Sequence, residues 1–389
     1  LYKHRKIVKL MTVVALAGLC FFLPTMQTSI EQYGKDIRNP AVGENRLMQK
    51  NGILGLDLLD SLAGVDERSA IQKISYGPSV TYAGDPQAGP QNIICIQVES
   101  LDSRVIEQQY HNAYVMPFLH QLAQETVYYP YMQYYIKVGS TSDAEFTALN
   151  GVLPLDNFVA LGLKGYDFPN AIARRLGGAG YRVKAFHNNR ADYFNRLTSF
   201  RKMGFQSFFG MKQMRLREQG WGASDGDVSA YMQNKLTQER KPFFYYFITM
   251  SSHEPFSTVG QYYKNPAYDD IAFKPVRNYY LSMSYVDNIL RDLVGFISGH
   301  LKNTYVFIYG DHAPYTIMEN DFFHPAGTVP LLIMTPDHQK YREDKRAANA
   351  LDLAPTLLFA AGIDGSLRSH GVNLLRFPID QDRILLEGQ

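Results

Sequence analysis

Cysteine is nearly absent: two in 389 residues. Cys20 lies in an apolar run and Cys95 in an expected buried strand, so no disulfide framework is available and the compartment has to be read from other features. Charge of one sign is lacking too. Thirty-nine Lys and Arg stand against 37 Asp and Glu, a net +2, which is too near neutral for a nucleic-acid binder. Internal repeats and low-complexity tracts are missing. What the chain has is apolar residues, 46% of the total. That excludes wholesale disorder and provides for a sizeable core, in one large α/β domain or two smaller ones.

The N-terminus carries a basic flank, "LYKHRKIVKL", and an apolar run, "LMTVVALAGLCFFLPTM". From Val8 to Met26 the run approaches the ~20 residues that a spanning helix needs. Lys3, Arg5, Lys6 and Lys9 precede or border it, so the positive-inside rule keeps the start of the chain cytoplasmic and sends everything after Met26 outward. No small-x-small cleavage site stands out, which favours an uncleaved anchor over a signal peptide. The chain opens on Leu1, not Met, and this leaves room for earlier membrane helices. The expected organisation is a basic flank and transmembrane helix (1–26), a juxtamembrane connector (27–90) and an extracytoplasmic domain (91–389). Within the connector, "NPAVGENRLMQKNGILGLDLLDSLAG" is amphipathic in places and "SYGPSVTYAGDPQAGPQ" reads as extended linker.

From Asn92 onward, short apolar runs alternate with helical stretches. "NIICIQV" (92–98), "YRVKAFH" (181–187), "FFYYFITM" (243–250), "TYVFIYG" (304–310) and "VPLLIMT" (329–335) read as buried strands. "MPFLHQLAQET", "NAIARRLGGAG", "GDVSAYMQNKL", "YYLSMSYVDNILRDLVGFI" and "ALDLAPTLLFAAG" read as helices. The alternation predicts an α/β fold, a mostly parallel central sheet with helices on both faces. In such folds, sites gather beyond the strands' carboxyl ends. Three expected strands run straight into polar residues there: Glu99-Ser100, "SSHEPF" with His253, and Gly310-Asp311-His312. Asp, Glu and His together suit a divalent cation, and the oxygen-rich set leans towards Mn²⁺, with Mg²⁺ or Zn²⁺ as alternatives.

"VGSTSDAEFTAL" (138–149) places Ser140, Thr141 and Ser142 before an expected helix. Taken alone, it is a capped helix start, with Glu145 suited to a capping box. Were Thr141 also to reach the cation, coordination would lower its hydroxyl pKa and make it a nucleophile, with the helix start behind it receptive to phosphate.

"IQVESL", "VGSTSDAEF", "FHNNRADYFNR", "WGASDGDV", "MSSHEPF" and "YGDHAPY" occur in one order. That order resembles the lipoteichoic acid synthases and related phosphoglycerol transferases of the alkaline phosphatase/sulfatase superfamily. "LDLAPTLL" followed by "GVNLL" resembles the end of the sulfatase fold, so the resemblance covers about residues 90–375. It implies that Glu99, Thr141, Asp311 and His312 bind one metal ion and that Thr141 is the nucleophile. His253, Arg196 and His187 would line the substrate pocket, and Phe194 stands where the family usually has tryptophan, a stacking surface without the indole N–H. Sulfatases that carry formylglycine use C/S-x-P-x-R, whose Pro and Arg "GSTSDAEF" lacks. Phosphoethanolamine transferases usually carry several disulfides.

The implied activity is transfer of glycerophosphate from phosphatidylglycerol, or a similar anionic phospholipid, to a polyol or glycan acceptor through a threonine-linked intermediate. The acceptor would be a teichoic acid or a periplasmic glucan, and the place a bacterial cell membrane with the catalytic domain outside. Alternatives are a phosphodiesterase, phosphatase or phosphoethanolamine transferase of the same superfamily, or a catalytically silent lipid-binding protein on this fold. Trp221 is expected in a structural loop, His120 and His300 as structural or solvated, and Asp352 as a cap. His324 and His370 lie in loops that could approach the site.

Overall fold

A computed structural model describes residues 67–82, 90–156, 158–314, 328–343 and 348–375. The expected transmembrane helix, most of the connector and His324 lie outside these residues. Among the described residues, no helix is long and apolar enough to cross a membrane.

The central sheet has eight strands. From edge to edge they are Tyr341–Arg342, Val127–Gln133, Thr328–Met334, Thr304–Gly310, Asn92–Val98, Phe243–Ile248, Arg182–His187 and Ser207–Phe209. Neighbours are parallel except at Thr328–Met334, which runs against both of its partners. The inner strands are apolar nearly throughout because both faces are covered. Along Asn92–Val98, Ile93 and Cys95 point to one core, and Ile94, Ile96 and Val98 to the other, as the two-residue period of a strand requires. Helices Thr141–Asn150, Ile172–Gly178, Arg196–Met203 and Leu353–Ala360 feed the first core. Helices Ser103–Glu107, Pro117–Glu125, Asp225–Gln238 and the long Lys274–His300 feed the second.

The five expected strands and five expected helices are all present, with ends shifted by a few residues. The strand Val127–Gln133 has no counterpart among the five expected strands, and it carries Pro130, a residue that breaks a ladder in a strand interior. The structure accommodates it with a bulge. Val329 pairs with Met132 and Leu331 with Tyr129, so Pro130 and Tyr131 together face Pro330. The two residues without an N–H thus fall where the ladder is already broken. Within the segment expected as connector, Ser79–Tyr82 pairs antiparallel with Gly365–Arg368, and Ala70 and Ile74 are buried in the first core.

Candidate active site

Four adjacent parallel strands set the site. Thr304–Gly310, Asn92–Val98, Phe243–Ile248 and Arg182–His187 end along one edge of the sheet. The residues at or just beyond those ends are Asp311 and His312, Glu99, the 249–253 segment, and His187. Their convergence is a consequence of strand order, as open α/β sheets require.

Glu99, Asp311 and His312 offer ligand atoms that all lie within 4.8 Å of one another, and all three residues are buried. His312 Nε2 is 3.3 Å from Glu99 Oε1 and 3.7 Å from Asp311 Oδ2. Thr141 Oγ1 donates to Glu99 Oε2 at 3.0 Å. The backbone orients the set. Asp311 Oδ1 accepts from the N–H groups of Ser100 at 2.8 Å and His312 at 2.7 Å. Glu99 N donates to Thr249 Oγ1, and Ser252 Oγ donates to the Glu99 carbonyl. His312 Nδ1 lies 2.9 Å from the Ala313 carbonyl, a contact that takes an N–H at Nδ1 and turns Nε2 inward towards the two carboxylates.

Without a cation the cluster is electrostatically strained. Burial, and then the neighbouring Glu99 carboxylate, push Asp311 up to about 8. Burial opposes protonation of His312, but Asp311 and Glu99 outweigh it and raise the imidazole to about 10. Burial also acts to raise Glu99, but His312 and His253 hold it well below the usual carboxylate range. Asp311 Oδ2 is buried and accepts no hydrogen bond. A carboxyl oxygen left so, beside a second carboxylate and an inward-facing imidazole nitrogen, fits a divalent cation, whose charge would favour the ionised form.

The helix Thr141–Asn150 does not start as its sequence suggested. Ser140 is the N-cap residue but makes no side-chain capping bond, and its backbone is left-handed, with φ 48° and ψ −122°. The turn is closed from inside the helix. Asp143 Oδ2 accepts from the N–H groups of Lys137 at 2.7 Å and Gly139 at 2.9 Å, and Ser142 Oγ donates to the Gly139 carbonyl at 2.8 Å. A Cβ on Gly139 would collide with Asp143. Glu145 forms no capping box; it is buried against Arg196. Ser142 therefore has a packing role, and Ser142→Ala is expected to cost about 1 kcal/mol of stability while leaving turnover near the wild-type rate. Urea melts and initial rates check this; lost turnover in a folded variant would move the chemistry from Thr141 to Ser142.

Of the residues expected at the substrate pocket, His253 and His187 lie within electrostatic reach of Glu99, and Arg196 within reach of His187. His187 is buried, with Nδ1 3.2 Å from the Ile248 carbonyl. Burial, and then the charge of Arg196, hold its pKa far down. Phe194 sits at a backbone kink, φ 54°, inside the turn Tyr193–Asn195 that leads into the helix Arg196–Met203. Its ring lies 4.9 Å from the Arg196 guanidinium carbon. His253 Nδ1 is 2.6 Å from the Glu254 carbonyl. Trp221 departs from expectation. It is 47% exposed, not a buried loop aromatic, and its ring centre is 5.2 Å from that of His253. Its loop is nevertheless fixed: Gln219 N donates to Gly222 O and Ala223 N to Asn188 O, and a Cβ on Gly222 would meet the Asn188 carbonyl at 2.7 Å.

The remaining candidates are structural. His120 stacks on Tyr114, and His300 on Phe296. Asp352 completes a capping box with Asn349. His370 is exposed beside Ser369, which packs on Gly151 at the far end of the helix that begins at Thr141. Sequence reasoning missed Ser100, whose hydroxyl donates to Glu99 Oε1 at 2.9 Å. It also missed Asp225, which accepts from Asn188 Nδ2 and from the N–H groups of Met250 and Ser251, tying the His187 loop to the His253 loop. The polar residue directly after a buried strand was the available signal for Ser100; Asp225 opens the helix Asp225–Gln238 and gave no such signal.

Residues 91–363 match the sulfatase family. The chain belongs to it. Among characterised relatives, lipoteichoic acid synthase 2 of Bacillus subtilis strain 168 is 28% identical over 331 residues, which cover 79% of this chain and 50% of that protein. Lipoteichoic acid synthase of Staphylococcus saprophyticus is 27% identical over 313 residues, 74% of this chain and 47% of its own length. The chain thus spans about half the length of these relatives. Among solved structures, lipoteichoic acid synthase LtaP from Listeria monocytogenes superposes with a TM-score of 0.65 at 22% identity, covering 77% of this chain and 78% of that one. The Streptococcus pyogenes phosphoglycerol transferase GacH, in complex with sn-glycerol-1-phosphate, gives 0.55 at 18% identity, covering 87% and 83%. The alkaline phosphatase/sulfatase-like fold expected from the sequence, with its mostly parallel sheet, is thereby borne out.

Proposed function

We propose that this sulfatase-family chain is the catalytic part of a metal-dependent phosphoglycerol transferase, with Thr141 as nucleophile. The observation that carries the reading is the meeting of Thr141 Oγ1, 3.0 Å from Glu99 Oε2, with the buried Glu99, Asp311 and His312. Thr141 joins those three as the ligand set for one divalent ion, with Mn²⁺ the best match to an oxygen-rich set holding one imidazole. When bound, the ion supplies charge stabilisation and lowers the pKa of the threonine hydroxyl.

The chain's own residues do the rest. Glu99 accepts the Thr141 hydrogen and so fixes the direction of the oxygen's lone pairs. Thr141 Oγ forms a bond to the donor's phosphorus while the bond from phosphorus to the diacylglycerol oxygen breaks. The threonine loses a proton and the departing alcohol gains one, so this half-reaction is proton-neutral. An acceptor hydroxyl then attacks the glycerophosphothreonine, and the threonine recovers its proton. Arg196 and His253 hold the phosphoglycerol group. His187, kept neutral, offers a ring nitrogen as acceptor to a glycerol hydroxyl, and Phe194 packs beneath the Arg196 guanidinium. The donor is phosphatidylglycerol or a similar anionic phospholipid, and the acceptor a polyol or glycan of the cell envelope. In this scheme residues 1–26 anchor the chain in a bacterial membrane, 27–90 connect, and 91–389 act on the outer side.

The test is a fate experiment. The protein in mixed micelles with Mn²⁺ and phosphatidylglycerol labelled in its headgroup glycerol is expected to release diacylglycerol and pass the label to an added envelope glycan or glycerophosphate polymer. Label appearing only as free glycerol phosphate would make the protein a hydrolase. No diacylglycerol release from intact protein would overturn the reading.

A further inference from the structure

Arg196 is among the largest fully buried side chains, at 1% exposure, and it is only partly satisfied. Its Nε lies 3.0 Å from each oxygen of Glu145, and Nη2 donates to Oε1 at 2.6 Å. Nη1 is buried with no hydrogen-bond partner. An ion pair kept only for stability is a poor explanation. Burying both charges costs about as much as their attraction returns, and an unsatisfied cationic N–H adds a further penalty. A buried donor left open next to a reaction centre points to a ligand atom.

The carboxylate that holds the guanidinium is also well placed. Glu145 lies one turn after Thr141, at i+4 on the same helix, so both project from one face. All ten residues of that helix are buried, which fixes its orientation between the sheet and its neighbours. The Phe194 ring packs against the guanidinium at 4.9 Å. The guanidinium is thus held along one edge and over one face, while its remaining nitrogen is open.

We propose that Glu145 is a positioning residue for the transfer. It holds Arg196 so that Nη1 meets the phosphoglycerol headgroup of the donor, in fixed register with Thr141 about 6 Å away along the helix axis. This rests on the reading of Arg196 as a headgroup residue. Thr141 and Glu145 then make the helix a gauge: one turn separates the attacking oxygen from the group that fixes the arginine. The capping box suggested by the sequence is replaced by this role.

Glu145→Asp and Glu145→Gln test it. The aspartate keeps the charge pair, so the fold is retained, but draws the guanidinium back by about one bond length. The single tryptophan, Trp221, lies against His253, so intrinsic fluorescence reports binding of glycerol 1-phosphate to the Mn²⁺-loaded protein. In Glu145→Asp, KM for phosphatidylglycerol and Kd for glycerol 1-phosphate are expected to rise about tenfold or more, with kcat changed by less than about threefold. Glu145→Gln is expected to lose more affinity. In an Arg196→Met background neither change should weaken binding further, since the guanidinium through which Glu145 acts is gone. A merely structural Glu145 would lower the melting temperature but leave KM and Kd at wild-type values in folded Glu145→Asp, and that result overturns the inference. So would additive losses in the double variants. If the wild type itself neither binds glycerol 1-phosphate nor turns over phosphatidylglycerol, the phosphoglycerol reading fails and takes this inference with it; a fully active wild type with indifferent Glu145 variants removes this inference alone.

Discussion

Thr141→Ala is expected to fold and to lose turnover by at least about 10³-fold, because no other hydroxyl takes the place of a covalent nucleophile. The two effects separate because of where the side chain sits. Its oxygen has one hydrogen bond of its own, to Glu99 Oε2. The helix start is held instead by the Thr141 carbonyl, which accepts from Gln97 Nε2 at 3.2 Å, and by Asp143 beneath the preceding turn. Deleting the hydroxyl should therefore cost only about 1 kcal/mol. Thr141→Ser retains the oxygen but loses the methyl that restricts χ1, so its rate should fall between the two. Mass spectrometry of wild type incubated with phosphatidylglycerol and no acceptor should find glycerophosphate on Thr141. Thr141→Ala turning over at near the wild-type rate would return this helix start to a purely structural role.

The parts of the fold legible in the sequence were those governed by burial. Runs such as "NIICIQV" and "FFYYFITM" are apolar because both faces of the sheet are covered, and their length separated them from the helices. The polar residues at their ends were legible for the same reason: an acidic residue or histidine directly after a fully buried strand stands out. What stayed hidden depended on pairing across long sequence distances. Val127–Gln133 carries Pro130, and only the break opposite Pro330 makes it a strand. Glu145 looked like a capping residue because local spacing fits that role, whereas its partner Arg196 is 51 residues away. Trp221 was placed among structural aromatics because indole usually buries, and its exposure beside His253 follows from a tight loop anchored on Asn188. Local propensity records neither a distant partner nor the direction a loop faces.

Asp311→Asn is expected to uncouple stability from the metal. In the wild type, Glu99 and Asp311 are buried side by side, and Asp311 Oδ2 accepts no hydrogen bond. Chelation with EDTA should leave Glu99, Asp311 and His312 to hold their charges and protons in the core without a cation, and the melting temperature should fall. Restoring Mn²⁺ at 1,000 times its Kd should return about 4 kcal/mol by mass action. Asparagine keeps Oδ1 for the N–H groups of Ser100 and His312. It replaces the orphaned oxygen with an N–H donor near Glu99, and it removes the group that must ionise to hold a cation. The variant should thus melt at or above the wild-type temperature in EDTA, gain little or nothing from Mn²⁺, and fail to turn over. A structural aspartate would behave in the opposite way, with Asp311→Asn less stable in EDTA and metal uptake unchanged. A wild type whose melting temperature ignores both EDTA and Mn²⁺ would remove the ion from this site, and with it the reason for keeping two carboxylates, an imidazole and a threonine hydroxyl together at the end of the sheet.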